Sequence, residues 1–336
     1  MKINSNIPKF LLSFLLINSI VMAQDIKSNE WTLDRFNFYF EDDIYTQTDD
    51  GYSAGERLSL LYFIENEDYM LYDALFLDVG NTYSYFTVSL TNQIFTPTDT
   101  QSLKELENDR PYAGWTYLDF TIHKSSANHL RSLSLKVGII GPGSGAEEIQ
   151  NIVHEWIGNN TAKGWDNQLN NELGINLKYA HKWLVASDFQ SAFEWSIIPF
   201  ASAELGNVAI NGSGGVNARF GYNIPKDFGV SSIDIGGEPG IPIYDAYQTM
   251  KLKNWSFSFN LTASGSAVAR DIFLDGNTFS DSHSVEKENF IYYYGFGFTA
   301  RYKSFVFDFL EVHNSKRFKK ETQGHGVGTM VFTWLF

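Results

Sequence analysis

The sequence predicts an all-β protein: a twelve-stranded antiparallel transmembrane β-barrel with one helix in an extracellular loop. Three features point to it. Aromatic and other apolar residues recur at every second position through much of the chain. The N-terminus carries an export leader. The last residue, Phe336, ends an aromatic final strand. With 28 Phe and 18 Tyr, the aromatic load is heavy for an ordinary water-soluble domain.

The leader comes first. Lys2 and Lys9 supply its positive region, and Phe10 to Ala23 form an apolar core too short to span a bilayer as a helix. Cleavage after Ala23 makes residues 1–23 a signal peptide and leaves 24–336 as one barrel domain. No later segment is apolar enough for a membrane helix, but a barrel strand gives a far weaker signal.

The strands follow at about 31–43, 51–64, 81–95, 109–124, 130–141, 170–184, 190–206, 211–224, 252–270, 289–303, 304–317 and 324–336. In the first, Phe36, Phe38 and Phe40 alternate with Asn37, Tyr39 and Glu41. Later ones repeat the pattern with Trp255, Phe257, Phe259 and Leu261, then with Phe305, Phe307 and Phe309. The last carries Met330, Phe332, Trp334 and Phe336 on one face. Every backbone group in lipid must be paired, so such strands have to close. An even count returns the chain to its starting side. The same alternation, turned inside out, also fits a soluble sandwich or barrel with its aromatics inward. Residues 225–250, with Pro225, Pro239 and Pro242, form a long strand-poor connection.

The exception to the strands is Gly141 to Glu172. Gly141-Pro142-Gly143 stops a strand, and Ser144 with Glu147 predicts a capping box opening a helix. Gly158 predicts its end. Ile149, Val153 and Trp156 form an apolar stripe that predicts the packing face. Glu147, Gln150 and His154 line another face.

Composition limits the function. With 39 acidic and 25 basic residues the net charge is −14, which excludes a nucleic-acid partner in the absence of a basic footprint. There is no cysteine, hence no thiol nucleophile and no disulfide framework. If the N-terminus is periplasmic, strand alternation brings four polar clusters to one outer rim. They are Glu41-Asp42-Asp43, Gly51-Tyr52-Ser53-Ala54-Gly55, Asn108-Asp109-Arg110-Pro111 and the helix with His154. A neutral imidazole beside carboxylates is suited to removing a proton from water. Glu41, Asp42 and Asp43 offer hard oxygens suited to Ca2+, and the glycines around Ser53 let oxygens of that segment approach a cation closely. No zinc spacing and no Gly-x-Ser-x-Gly elbow is present.

These rim motifs resemble the outer-membrane lipid A 3'-O-deacylase (LpxR) family. The most specific stretch is Gly141-Pro142, Gln150-Asn151-x-x-His154 and Gly164-Trp165-x-x-Gln168-x-x-x-Glu172. The resemblance implies a twelve-stranded barrel in the bacterial outer membrane, with its site outside the wall and under the loop helix. It implies calcium-dependent hydrolysis of the 3'-linked acyloxyacyl ester of lipid A. His154 is then the general base, with Asp42, Ser53 and Gln150 beside it. Glu41 stands where the family has Asn. Lys104 or Arg110 is the candidate for a lipid A phosphate. The implied partners are lipopolysaccharide and outer-membrane lipids, for a monomeric enzyme. An outer-membrane phospholipase and a non-enzymatic porin-like barrel are the alternatives.

Overall fold

A computed structural model describes residues 31–43, 51–65, 82–158, 160–229, 232–233, 240–243 and 254–336, excepting the side chains of 156 and 157. The leader lies outside the described residues.

Twelve long strands form the wall. The first six are β1 (Trp31–Asp42), β2 (Gly51–Ile64), β3 (Tyr83–Thr96), β4 (Ala113–Ser125), β5 (His129–Ile140) and β6 (Glu172–Trp183). The others are β7 (Glu194–Gly206), β8 (Ala209–Tyr222), β9 (Trp255–Asp271), β10 (Phe290–Tyr302), β11 (Phe305–Asn314) and β12 (Gly326–Leu335). Each pairs antiparallel with its sequence neighbours, β1 pairs with β12, and β6 with β7, so the sheet closes and has no edge. A three-residue ribbon, Ala186–Asp188, extends the β6–β7 turn. The expected strands are all present. The fourth starts at Ala113 rather than 109, because Asn108 to Pro111 belong to the loop before it.

Strand parity settles which face is which. Leu61, Tyr85, Leu130 and Ile198, from β2, β3, β5 and β7, meet in one buried cluster, which they can do only across the lumen. Buried ion pairs Arg57–Asp119 and Lys136–Glu204 lie on the same inward parity. Outward positions stay apolar and exposed, among them Leu118, Phe120, Leu177, Phe257, Phe259 and Phe296. The exposed aromatics therefore face out, as a lipid-facing wall requires.

Described residues of the β8–β9 connection pack into the lumen. Phe228, Ile241 and Ile243, from the β8–β9 connection, join the Leu61 cluster. The Ile233 amide of the same connection donates to Glu41 Oε1 at the end of β1 (2.8 Å). At the rim where β1 ends, the four-residue helix Ile272–Asp275 caps the opening. Its Phe273 stacks on Phe95 at 3.9 Å, beside Tyr52 and Trp115.

The long helix, α1 (Ala146–Ile157), differs from expectation at its start. The predicted capping box does not form. Ser144 ends a 3-10 turn, Pro142–Ser144, and α1 begins after Gly145, a left-handed residue at φ 70° with no side-chain cap. Ser144 is held by the wall instead: its carbonyl accepts from Thr116 Oγ1 (2.7 Å). The end is as expected, at Gly158 with φ 78°, where a side chain would strain the backbone.

Candidate functional site

The site is built on the outer face of β1 to β4 by three rows of paired residues. The row nearest the rim holds Asp42, Ala54, Ile94 and Gly114; the next Phe40, Glu56, Asn92 and Thr116; the third Phe38, Leu58, Leu90 and Leu118. Residues two apart on a strand are separated by about 7 Å. The wall thus changes within that distance from an apolar row to a polar one.

α1 lies over β3 and β4. At Gly114 a Cβ would overlap Ala146 Cβ and Ser144 Oγ, so only glycine lets the helix start sit this close to the strand. Ala146, Ile94, Tyr112, Ala162 and Trp165 form a buried cluster outside the barrel, with Ala54 and Ile149 at its edge. The loop helix is therefore held by wall residues, by Trp165 and by Tyr112, whose ring lies 4.9 Å from that of Trp165.

The expected packing face is corrected. Ala146, Gln150 and His154, at i, i+4 and i+8, form the buried face, while Ile152 is 51% exposed and Val153 half-buried. Trp156 falls among the side chains not described. Ile149 of the expected stripe still packs on the cluster and Glu147 is exposed, so the buried face is shifted rather than reversed; Trp165 Nε1 donates to Gln150 Oε1 (2.9 Å), which satisfies the amide oxygen under the helix. Gln150 Nε2 remains buried without a partner.

His154 is 7% exposed. Its Nδ1 donates to the Asn160 carbonyl at 2.7 Å, because a carbonyl oxygen can only accept. In the neutral ring this fixes the tautomer and leaves Nε2 as the basic nitrogen. Gln150 and His154 share a face, but the Gln150 amide oxygen bonds to Trp165 rather than to the imidazole.

The other candidates divide between the two sides of the wall. Asp42 faces out, at the rim end of the row above Glu56. Ser53 sits in a bulge of β2 and shares a hydrogen bond with Thr96, on the outward parity of Ile94. Glu41 points into the lumen. Its carboxylate accepts from Tyr52 OH (2.8 Å), the Ile233 amide and Thr329 Oγ1 (2.9 Å). Adjacent strand residues face opposite ways, so Glu41 and Asp42 cannot jointly hold one ion, contrary to the sequence expectation. Arg110 likewise turns inward, over the Phe95 ring at 4.9 Å. Its three guanidinium nitrogens are buried and unpartnered, and burial, then nearby Arg317, pushes its pKa down to about 10. It lines a cavity of about 370 Å³ at the rim with Asp109, Lys320 and His325, away from the wall under α1. Lys104 is exposed on the β3–β4 loop.

Two residues escaped the sequence reading. Glu56 and Asn92 occupy outward positions one row below Asp42. Their only sequence signal is polarity at a lipid-facing parity. Among the described residues, no three His, Asp or Glu side chains gather closely enough to hold a metal. A calcium ion also takes amide and hydroxyl oxygens, so two carboxylates with such neighbours suit it.

The sequence matches, over residues 10–336, the family described as "Outer membrane protein LpxR". Among solved structures it is similar to LpxR from Salmonella typhimurium, at 16% identity and TM-score 0.72, covering 90% of this chain and 100% of that one. That likeness concerns the fold. The β domain of the Bordetella autotransporter BrkA (7% identity, TM-score 0.42) and the NalP translocator domain from Neisseria meningitidis (9%, 0.41) cover 91% and 98% of this chain. They cover 98% and 96% of their own chains. No curated protein matches.

Proposed function

Because the chain belongs to the LpxR family and so resides in the bacterial outer membrane, we propose that it is a calcium-dependent lipid A 3'-O-deacylase with His154 as general base. The observation that carries this is the outer-wall placement of the site. His154 is buried under a helix that packs on the lipid-facing side of the barrel, next to a polar row that interrupts an apolar wall. A lipid ester lies at the boundary between headgroup and acyl chain, and a polar row adjoining an apolar one suits that boundary. A substrate arriving laterally reaches it without entering the lumen.

The chemistry follows from the ring's orientation. Nε2 removes a proton from water as the water oxygen attacks the ester carbonyl. The bond to the sugar oxygen then breaks, the imidazolium returns its proton to that oxygen, and a free fatty acid leaves. The Nδ1–H bond to Asn160 keeps the ring oriented and stabilises its charged form. Gln150, held by Trp165, presents its free Nε2 from the same helix face and orients the reacting groups. Asp42, with oxygens of the outer wall, would hold calcium, which when bound stabilises the developing oxyanion. Glu41 is held by its hydrogen bonds inside the lumen, and lipid A phosphates are taken by Lys104 on the exposed loop or by Arg110 at the rim cavity.

An open pore is disfavoured by the residues packed into the lumen. Mass spectrometry of cell lipids with and without the protein tests the assignment. Loss of the 3' hydroxyacyl-acyl pair supports it; lysophospholipid with unchanged lipid A points to a phospholipase instead.

A further inference from the structure

The outer wall carries a second carboxylate close to Asp42. Glu56 pairs with Phe40 on one side and Asn92 on the other, so it shares the outward face with Asp42, one row below. Its Oε2 is buried and has no hydrogen-bond partner. Asn92 is 6% exposed. Its Nδ2 donates to Thr116 Oγ1 at 2.6 Å, while its Oδ1 is buried and unpartnered. The Thr116 hydroxyl is itself committed to the Ser144 carbonyl (2.7 Å). That chain of bonds fixes the asparagine with its amide nitrogen engaged and its oxygen free.

Two carboxylates side by side and an amide oxygen without a donor are costly at a lipid-facing wall. A single divalent cation offsets these costs: it balances the carboxylates and supplies the missing partner to Glu56 Oε2 and Asn92 Oδ1. All the donors are hard oxygens, the set that favours calcium over softer-ligand metals. Glu41, by contrast, already has three donors on its carboxylate.

We propose that Glu56 and Asn92 join Asp42 as ligands of one calcium ion on the outer wall, an assignment that rests on the calcium role proposed for Asp42. Glu56 supplies the second negative charge that Glu41, turned into the lumen, does not.

The test is calcium titration by calorimetry on the full-length protein refolded in detergent, with heat-modifiable gel migration as the check on folding. The wild type binds one calcium. Glu56→Gln keeps the side-chain shape, removes the charge and weakens binding at least tenfold. Asn92→Leu, which fits a lipid-facing position and removes the amide oxygen, weakens it too and serves as the second probe if Glu56→Gln misfolds. Glu41→Gln retains wild-type affinity. If folded Glu56→Gln and Asn92→Leu bind as tightly as wild type while Asp42→Asn does not, the assignment of Glu56 and Asn92 is overturned and the role of Asp42 stands. A folded wild type that binds no calcium overturns both.

Discussion

Gly114→Ala tests whether the docking of α1 on the wall sets the rate. The added methyl carbon would overlap Ser144 Oγ and also Ala146 Cβ, which is fixed directly to the backbone and cannot swing aside. Ordinary carbon contacts lie at about 3.5 Å, so the helix start must lift by about 1 Å. The barrel has no such need: Gly114 faces outward, and the pairing of β4 with β3 and β5 does not depend on its side chain. Overpacking of this kind costs about 1–3 kcal/mol, localised in the loop. A misplacement of about 1 Å in a catalytic group lowers turnover by about a hundredfold. The assay is ester hydrolysis by the purified variant in detergent with calcium, alongside heat-modifiable migration and thermal unfolding. The expected result is a normally folded barrel with turnover reduced by about two orders of magnitude. A folded Gly114→Ala protein at wild-type rate would refute the claim that α1 is positioned by contact at this glycine.

Other outcomes follow from the same geometry. His154→Ala and His154→Asn should both lower turnover by about a hundredfold or more. Each should leave the barrel folded, since the lost Nδ1 bond is worth only about 1 kcal/mol; near wild-type hydrolysis by either would remove the base assignment. Thorough chelation should abolish activity and added calcium restore it, while Asp42→Asn should require more calcium; activity that persists under chelation takes the metal out of the mechanism. Glu41→Ala should lower stability by about 2–3 kcal/mol through loss of hydrogen bonds to a buried carboxylate, with its calcium dependence unchanged. A shift in calcium requirement for that variant would place Glu41 in the site after all.

Much of this was legible in the sequence, for physical reasons that also explain the misses. Twelve strands could be read because a two-sided wall imposes a period of two on every strand, and aromatic residues mark it. Which face met lipid could not be read, because the alternation is the same either way round. The helix was visible from Gly141-Pro142-Gly143 and Gly158, but its cap was not. Ser144 falls in a 3-10 turn closed by left-handed Gly145, and its carbonyl is held by Thr116, 28 residues away, so it does not stand at the cap position. Gln150 turned inward because Trp165 offers it an indole N–H, a pairing set by tertiary packing. Glu41 was recoverable: parity that sends Phe40 and Asp42 outward sends their neighbour into the lumen. Glu56 and Asn92 were recoverable by the same rule, as polar residues at outward positions beside Leu58 and Leu90.

The most direct measurement of the central claim is the product formed from defined lipid A by the purified protein in detergent with calcium. The outer-wall site predicts release of the 3'-linked hydroxyacyl-acyl pair with a free 3' hydroxyl left on the sugar, lost together in His154→Asn and Asp42→Asn. Intact lipid A after incubation with a correctly folded, calcium-supplied protein would contradict it, as would equal release by the His154→Asn variant.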